Sequence, residues 1–328
     1  MKKRHFLFLV FLLILIFFLV KNPPSFTGFF AKNQTDNGSI TVYFCPESNC
    51  SSIISKEISN AQNFVHCAFY DVNLPDVVSA LKEKSKSIET KLVTDNDNPT
   101  NLSFAIADSR NGLMHNKFCV IDGHMVITGS FNPTFGGLDD ENNVLIIESK
   151  TLASNYESEF SEFQNRIFGR GNRIAKPVLS INNITVENYF CPEDWCADKV
   201  LKTVATANKS VHFMIFSFTD NSIGDLFVQK HKEGVDVSGV LDSSQNKKSN
   251  YSEYPKLQSE GIDVSIFGTG KQLLHSKVIV VDSKIVITGS YNPTSNGDKV
   301  NDENIIIIYN EEIAKEYERK INELKNKI

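Results

Sequence analysis

Two stretches of the chain repeat one spacing of reactive side chains. His115-Asn-Lys117 is followed by Asp122 and then by Gly129-Ser130-Phe131-Asn132; His275-Ser-Lys277 is followed by Asp282 and then by Gly289-Ser290-Tyr291-Asn292. Both fit HxKxxxxDxxxxxxGSxN without a gap. Side chains alternate along a strand with period two, so a His and a Lys two apart share one face. A neutral imidazole can attack phosphorus while an ammonium on the same face holds the phosphate oxygens. Asp122 and Asp282 fall on the opposite face of a regular strand, or in the turn before the next one, so a supporting role is expected of them. Gly129 and Gly289 allow close approach of backbone, with Ser130 and Ser290 beside them, and Asn132 and Asn292 offer amide donors. Each Asn also precedes a Pro, where the ordinary reading is a turn residue. Phosphoryl transfer needs a nucleophile, a proton donor for the leaving oxygen and a clamp for the charge. One copy supplies one imidazole; two copies facing each other would supply the full set. His66, His124, His212 and His231 are read as structural.

An independent repeat frames these motifs. Phe44-Cys-Pro-Glu-Ser-Asn-Cys50 returns as Phe190-Cys-Pro-Glu-Asp-Trp-Cys196, an offset of 146, whereas the GS dipeptides are 160 apart. An insertion around Tyr251–Gly261, with the look of a short helix, accounts for the difference. A period this long marks a duplicated domain. Within the second half, Val186–Phe190, Val211–Phe218, Val235–Leu241, Ser276–Val281, Ile285–Thr288 and Ile305–Tyr309 read as strands. Ala197–Asn208, Ile223–Gly234 and the stretch from Glu311 read as helices. The first half follows the same order and closes with a helix around Leu152–Ile167. Strands alternating with helices predict an α/β fold: two similar α/β sandwich halves with mixed sheets, related by a pseudo-twofold. The expected divisions are 1–21 (signal anchor or signal peptide), 22–39 (tether), 40–168 (first half), 169–177 (linker) and 178–328 (second half).

The paired motifs resemble those of the phospholipase D superfamily, whose members carry two such HKD motifs, over about residues 40–325. The short two-domain form and the FCPExxC element resemble the branch that includes the mitochondrial cardiolipin hydrolase, or Zucchini, type. The resemblance implies a phospholipase D-like fold and a two-step phosphodiesterase. His115 forms a phosphohistidine, His275 is the general acid and then the base for water, and Lys117, Lys277, Asn132 and Asn292 neutralise the phosphate. No metal or other cofactor is implied. Family members also use an acidic residue after GSxN to orient each imidazole. Glu141 and Glu303 match that place, each inside an Asp-Glu-Asn tripeptide, with Asp302 as the substitute for Glu303. The implied partner is a phospholipid membrane whose headgroup esters are hydrolysed. The alternative is a metal-independent endonuclease acting on single-stranded RNA or DNA; transfer of the phosphatidyl group to an alcohol, or a non-catalytic surface binding module, are further readings. Both motifs in one chain imply a monomer.

The formal net charge is −5, so a chain-wide basic footprint for a nucleic acid is missing. Lys2, Lys3 and Arg4 precede the apolar run Phe6–Val20, followed by Lys21, Pro23 and Pro24. This reads as an uncleaved signal anchor with the catalytic domain on the extracytoplasmic side, or as a signal peptide whose cleavage leaves the domain secreted. Seven N-x-[ST] sequons, at Asn33, Asn37, Asn49, Asn101, Asn183, Asn208 and Asn250, fit an exported chain. Cys45/Cys50 and Cys191/Cys196 are candidates for two local disulfides; one zinc site of four cysteines is the other reading. Cys67 and Cys119 lie in apolar runs and read as buried thiols. Trp195 reads as a core or interface residue, with lipid contact as the alternative.

Overall fold

The apolar, β-branched runs pair into two mixed sheets, one for each half, in a computed structural model that describes residues 34–328 apart from 248, 250, 269 and 270. The first sheet runs, in order, Ile40–Cys45, Asn142–Glu148, Met125–Gly129, Lys117–Ile121, Phe64–Phe69, Glu89–Thr94 and Ala105–Ala107. The second repeats that order with Ile184–Cys191, Glu303–Tyr309, Ile285–Gly289, Lys277–Val281, Ser210–Ile215, Asp236–Asp242 and Asp263–Phe267. Val178–Ile181 and Gln34–Asp36 extend its edge. Pairing is antiparallel across the tight turn between Lys117–Ile121 and Met125–Gly129, and parallel where the helix Pro75–Lys84 carries the chain from Phe64–Phe69 to Glu89–Thr94. The strands that begin with Lys117 and Lys277 are buried at every position, which is why they read as unbroken apolar runs after the lysine.

Each half ends in an amphipathic helix, Lys150–Gln164 or Glu311–Asn326. Both start on a side-chain cap, Ser149 accepting from Leu152 N and Asn310 from Ile313 N. Their apolar faces, with Leu152, Tyr156 and Phe160 on one and Ile313, Tyr317 and Leu324 on the other, fill a core shared with Phe118 and Val120 of the first sheet and Val278 and Val280 of the second. The two halves therefore bury their apolar surface against common side chains. Buried Tyr156 donates to Asn304 Oδ1 at 3.2 Å, and buried Tyr317 accepts from Asn143 Nδ2 at 3.0 Å, so each hydroxyl is satisfied across the pseudo-twofold.

Several expectations are corrected here. Gln34–Asp36, placed in a tether by composition, is a strand paired parallel with Val178–Ile181, and the Asp36 carboxylate accepts from Thr151 N at 2.8 Å. An edge strand held through backbone groups leaves no apolar signature. Cys67 and Cys119 are not thiols: they stand opposite each other on antiparallel strands and form a disulfide, a pairing that 52 residues of separation conceal. Cys45–Cys50 and Cys191–Cys196 are local disulfides, which removes the four-cysteine zinc reading. Trp195 is 51% exposed with Arg173 stacked 3.6 Å from its ring, so it is not a core residue. The insertion holds the helix Tyr254–Ser259. Among the described residues no helix is long and apolar enough to cross a membrane. The anchor expected at 1–21, and the sequons Asn33 and Asn250, lie outside the described residues.

Candidate active site

Each His-x-Lys segment enters its sheet pinned to the other half. His115 N donates to Asp302 O at 2.9 Å, and His275 N donates to Glu141 O at 2.9 Å. The residue before each His is held by a buried carboxylate of its own half: Asp95 accepts from Met114 N at 2.8 Å and Asp242 from Leu274 N at 2.9 Å. The motif aspartates sit in left-handed turns beyond the strands. Asp122 accepts from the backbone N–H groups of Gln62, Asn63 and Phe64 at 2.6–3.0 Å, and Asp282 from those of Asn208, Lys209 and Ser210 at 2.7–3.1 Å. Partial burial works against their ionisation, but these N–H groups outweigh it and hold both carboxyls below the usual range. They brace the strand ends, away from the imidazoles.

Gly129 (φ 138°) and Gly289 (φ 142°) let the next strand pass so closely that a Cβ would collide with the carbonyl oxygens of Asn143 and Asn304. The adjoining serines use that approach. Ser130 Oγ accepts from Asn143 N at 3.0 Å and donates to Asn142 Oδ1 at 2.9 Å; Ser290 Oγ accepts from Asn304 N at 2.9 Å and donates to the Glu303 carboxylate at 2.6 Å. Asn142 and Glu303 are therefore counterparts, one residue away from the register that the Asp-Glu-Asn tripeptides suggest.

This shift decides the imidazole partners. His115 Nδ1 lies 2.8 Å from the Glu303 carboxylate, contributed by the other half. His275 Nδ1 lies 3.0 Å from Asn142 Oδ1 and 3.1 Å from Ser130 O. Glu303 thus stands where the motif placed it, and Asp302 is not needed as its substitute. Glu141 does not reach an imidazole: its carboxylate meets Lys320 at 2.6 Å and Lys327 at 3.2 Å. With Nδ1 taken by an acceptor, the hydrogen-bond network assigns the proton to Nδ1 of each ring and leaves Nε2 as the lone-pair atom.

Lys117 Nζ donates to His115 O at 2.6 Å and Lys277 Nζ to His275 O at 2.5 Å, and neither forms an ion pair with a carboxylate among the described residues. Burial pushes the Lys117 ammonium down to about 7, against the pull of Glu303, Asp95 and Asp71. Burial and the charge of Lys117 push Lys277 well below the ordinary lysine value. His115 and His275, 7% and 9% exposed, are likewise held well below the usual histidine range by burial and by the two lysines. Glu303 is raised to about 8 by burial. A buried set of cationic groups short of carboxylates is suited to an anion, which would restore the charge on both lysines.

A cleft of about 330 Å³ opens beside His275, lined among others by Asn132, Thr134, Gly136, Gly137 and Phe216. Asn132 Oδ1 and Asn292 Oδ1 are both buried without a partner. Sequence reasoning missed two ring contacts: Tyr70 packs on His115 at 5.1 Å and Phe216 on His275 at 4.7 Å. They are 146 apart, the cysteine offset, so extending the repeat would have found them. It also missed Asn142.

Comparisons with known proteins agree with this geometry. The family described as "Cardiolipin synthase, PLD-like domain" matches residues 54–164 and 200–325. A phospholipase D of Rickettsia typhi is 35% identical over 141 residues, covering 43% of this chain and 67% of that protein. A mitochondrial cardiolipin hydrolase of Xenopus tropicalis is 29% identical over 153 residues, covering 45% of this chain and 72% of its own. The fold matches the crystal structure of phosphatidylserine synthase from Haemophilus influenzae with a TM-score of 0.65 over 85% of each chain, at 12% identity.

Proposed function

The chain belongs to the phospholipase D superfamily and is a phosphodiester hydrolase, and from that premise we propose that it hydrolyses phospholipid headgroup esters through a phosphohistidine on His115. The observation that carries the mechanism is the contact between His115 Nδ1 and the Glu303 carboxylate. When Nε2 attacks phosphorus, the P–N bond forms, the bond from phosphorus to the headgroup oxygen breaks, and the ring acquires positive charge. Glu303 lies where that charge develops, and the ammonium groups of Lys117 and Lys277 favour its ionised form. His275, having taken a second proton on Nε2 from solvent, gives that proton to the departing alcohol. It then takes one from water, whose oxygen displaces His115 and leaves a phosphate monoester on the lipid.

The cleft rim supports a lipid substrate. Phe135 is 62% exposed and Leu138 37% exposed, three residues apart on the turn Gly136–Leu138 whose glycines line the cleft. Residues three apart on a 3₁₀ turn eclipse, so the two apolar groups share one outward face. The matching turn of the second half carries Ser295 and Asp298. A net charge of −5 adds no attraction for a polyanion. On this reading the run Phe6–Val20 holds the domain at a bilayer.

The test offers the full chain mixed phospholipid vesicles and, separately, single-stranded RNA and DNA, in chelator. The expected products are phosphatidate and free headgroup alcohol, with label trapped on wild type and absent from His115→Ala. His275→Ala should turn over about a hundred- to ten-thousand-fold more slowly and still trap label from a substrate with a good leaving group. Cleavage of nucleic acid with intact lipid would replace the substrate class. Trapping lost in His275→Ala but kept in His115→Ala would exchange the two roles.

A further inference from the structure

Away from the catalytic cleft, the duplication is broken at one buried spot. In the FCPE segments Glu47 and Glu193 are counterparts. So are Glu141 and Asp302, whose carbonyls hold His275 N and His115 N. In the closing helices, counted from their caps Ser149 and Asn310, Glu159 matches Lys320, Glu162 matches Glu323 and Arg166 matches Lys327. Lys320 is 4% exposed, and its Nζ sits 2.8 Å from Glu47 and 2.6 Å from Glu141. Lys327 lies within 3.3 Å of both. One half thus places an ammonium between its carboxylates.

The other half places a further carboxyl there. Glu159 is 2% exposed, and among the described residues it meets no cation and no donor outside the cluster; the group it faces is the Glu193 carboxyl. Glu193 Oε2 is buried with no partner. Among the described residues Glu162 accepts only from Asn172, from N at 2.9 Å and from Nδ2 at 2.7 Å. Three of the cations nearby are engaged elsewhere. Arg166 donates to Ala107 O at 2.8 Å, Arg110 pairs with Asp108 and Asp302, and Arg173 stacks on Trp195. Glu159, Glu162 and Glu193 each bring an oxygen within 4.8 Å of the others. Two ligands on opposite sides of a calcium ion, at about 2.4 Å each, stand about 4.8 Å apart.

We propose that Glu159, Glu162 and Glu193 bind one calcium ion, which does for this half what the Lys320 ammonium does for the other. All three donors are hard oxygens, which suit calcium over zinc or copper, and the adjoining cavity of about 810 Å³, lined by Glu159 and Glu162, admits the waters that complete its shell. The ion joins the closing helix of the first half to the FCPE loop of the second. It stands independently of the phosphodiesterase reading, because its test reads binding and melting.

The full chain in detergent, stripped by chelator at pH 7.5, is titrated with calcium chloride and in parallel with magnesium chloride. The expected result is one calcium per chain and a melting temperature raised by about 5 °C at a hundredfold excess over Kd. Glu162→Gln should weaken binding at least about tenfold. Glu159→Lys, which supplies the missing ammonium, should abolish the calcium response and melt in chelator as high as calcium-loaded wild type. Wild type that binds no calcium at millimolar concentration, prefers magnesium, or binds unchanged in Glu162→Gln overturns the proposal. Should Glu159→Lys not fold, the wild-type and Glu162→Gln isotherms decide.

Discussion

His115 Nδ1 meets a carboxylate, Glu303, at 2.8 Å, whereas His275 Nδ1 meets an amide oxygen, Asn142, at 3.0 Å. The two acceptors occupy equivalent places, each fixed by the serine of a GS dipeptide. A carboxylate stabilises positive charge on its ring and an amide does so far less. On the proposed mechanism the ring that carries the phosphoryl group has the carboxyl partner, and the ring that gives up its proton has the amide.

Exchanging the amide for a carboxylate tests this directly. Asn142→Asp should raise the proton affinity of His275 by about one unit or more. On the proposed mechanism His275 must be protonated to release the headgroup, so the basic limb of the kcat–pH profile should move to higher pH. A purely structural role for Asn142 would change the rate without moving the limb.

Glu303→Gln keeps the shape and removes the charge. Turnover should fall about ten-thousandfold, in the manner of other imidazoles deprived of a buried carboxylate, with substrate binding far less affected. Separate determination of kcat and KM checks it.

Lys320 is a buried cation holding Glu141, itself 1% exposed. Lys320→Met leaves that carboxylate without its closest partner and should cost about 3 kcal/mol or more in urea unfolding. Adding Glu141→Gln to the same chain should recover part of the loss; an additive double variant would show that the pair does not interact.

The Cys67–Cys119 bridge closes a segment of 52 residues. Chain-entropy reasoning gives about 4 kcal/mol for a loop of that size. Cys67→Ala/Cys119→Ala should therefore unfold at lower urea, and non-reduced peptide mapping of wild type should recover the cross-linked pair. Free thiols at both positions would remove the bridge from the native state.

Phe135→Ser/Leu138→Ser should weaken vesicle binding about tenfold or more, since each exposed apolar side chain entering lipid contributes about 1.5–3 kcal/mol. Cleavage of a water-soluble short-chain phospholipid should be unchanged, because neither side chain is among those lining the cleft. Equal losses on both substrates would place these residues in folding rather than docking.

Much of the site was legible because its residues sit in a repeated linear motif. His115, Lys117, His275 and Lys277 come together in one buried set, although both histidines precede the strands that begin at the lysines, and Asp122 and Asp282 fall in the turns that follow. The assignment of Glu141 failed for an identifiable reason. Identity of the tripeptides Asp140–Asn142 and Asp302–Asn304 suggested one register, while the bonds from Ser130 and Ser290 set another, one residue away. Register between strands is fixed by backbone pairing, which a linear match cannot see. Cys67 facing Cys119, and the strand Gln34–Asp36, were hidden likewise, since both are matters of which strand lies beside which.

The crossing of the imidazole partners has a consequence for how such a catalyst can change. In an assembly of two identical subunits, every substitution at the Asn142 place would appear twice and alter both rings at once. A fused chain escapes that constraint: the two acceptors are encoded separately, so donor and acceptor functions can be divided between copies by a single codon. The difference between Glu303 and Asn142 is a specialisation open to a covalent duplicate and closed to a homodimer.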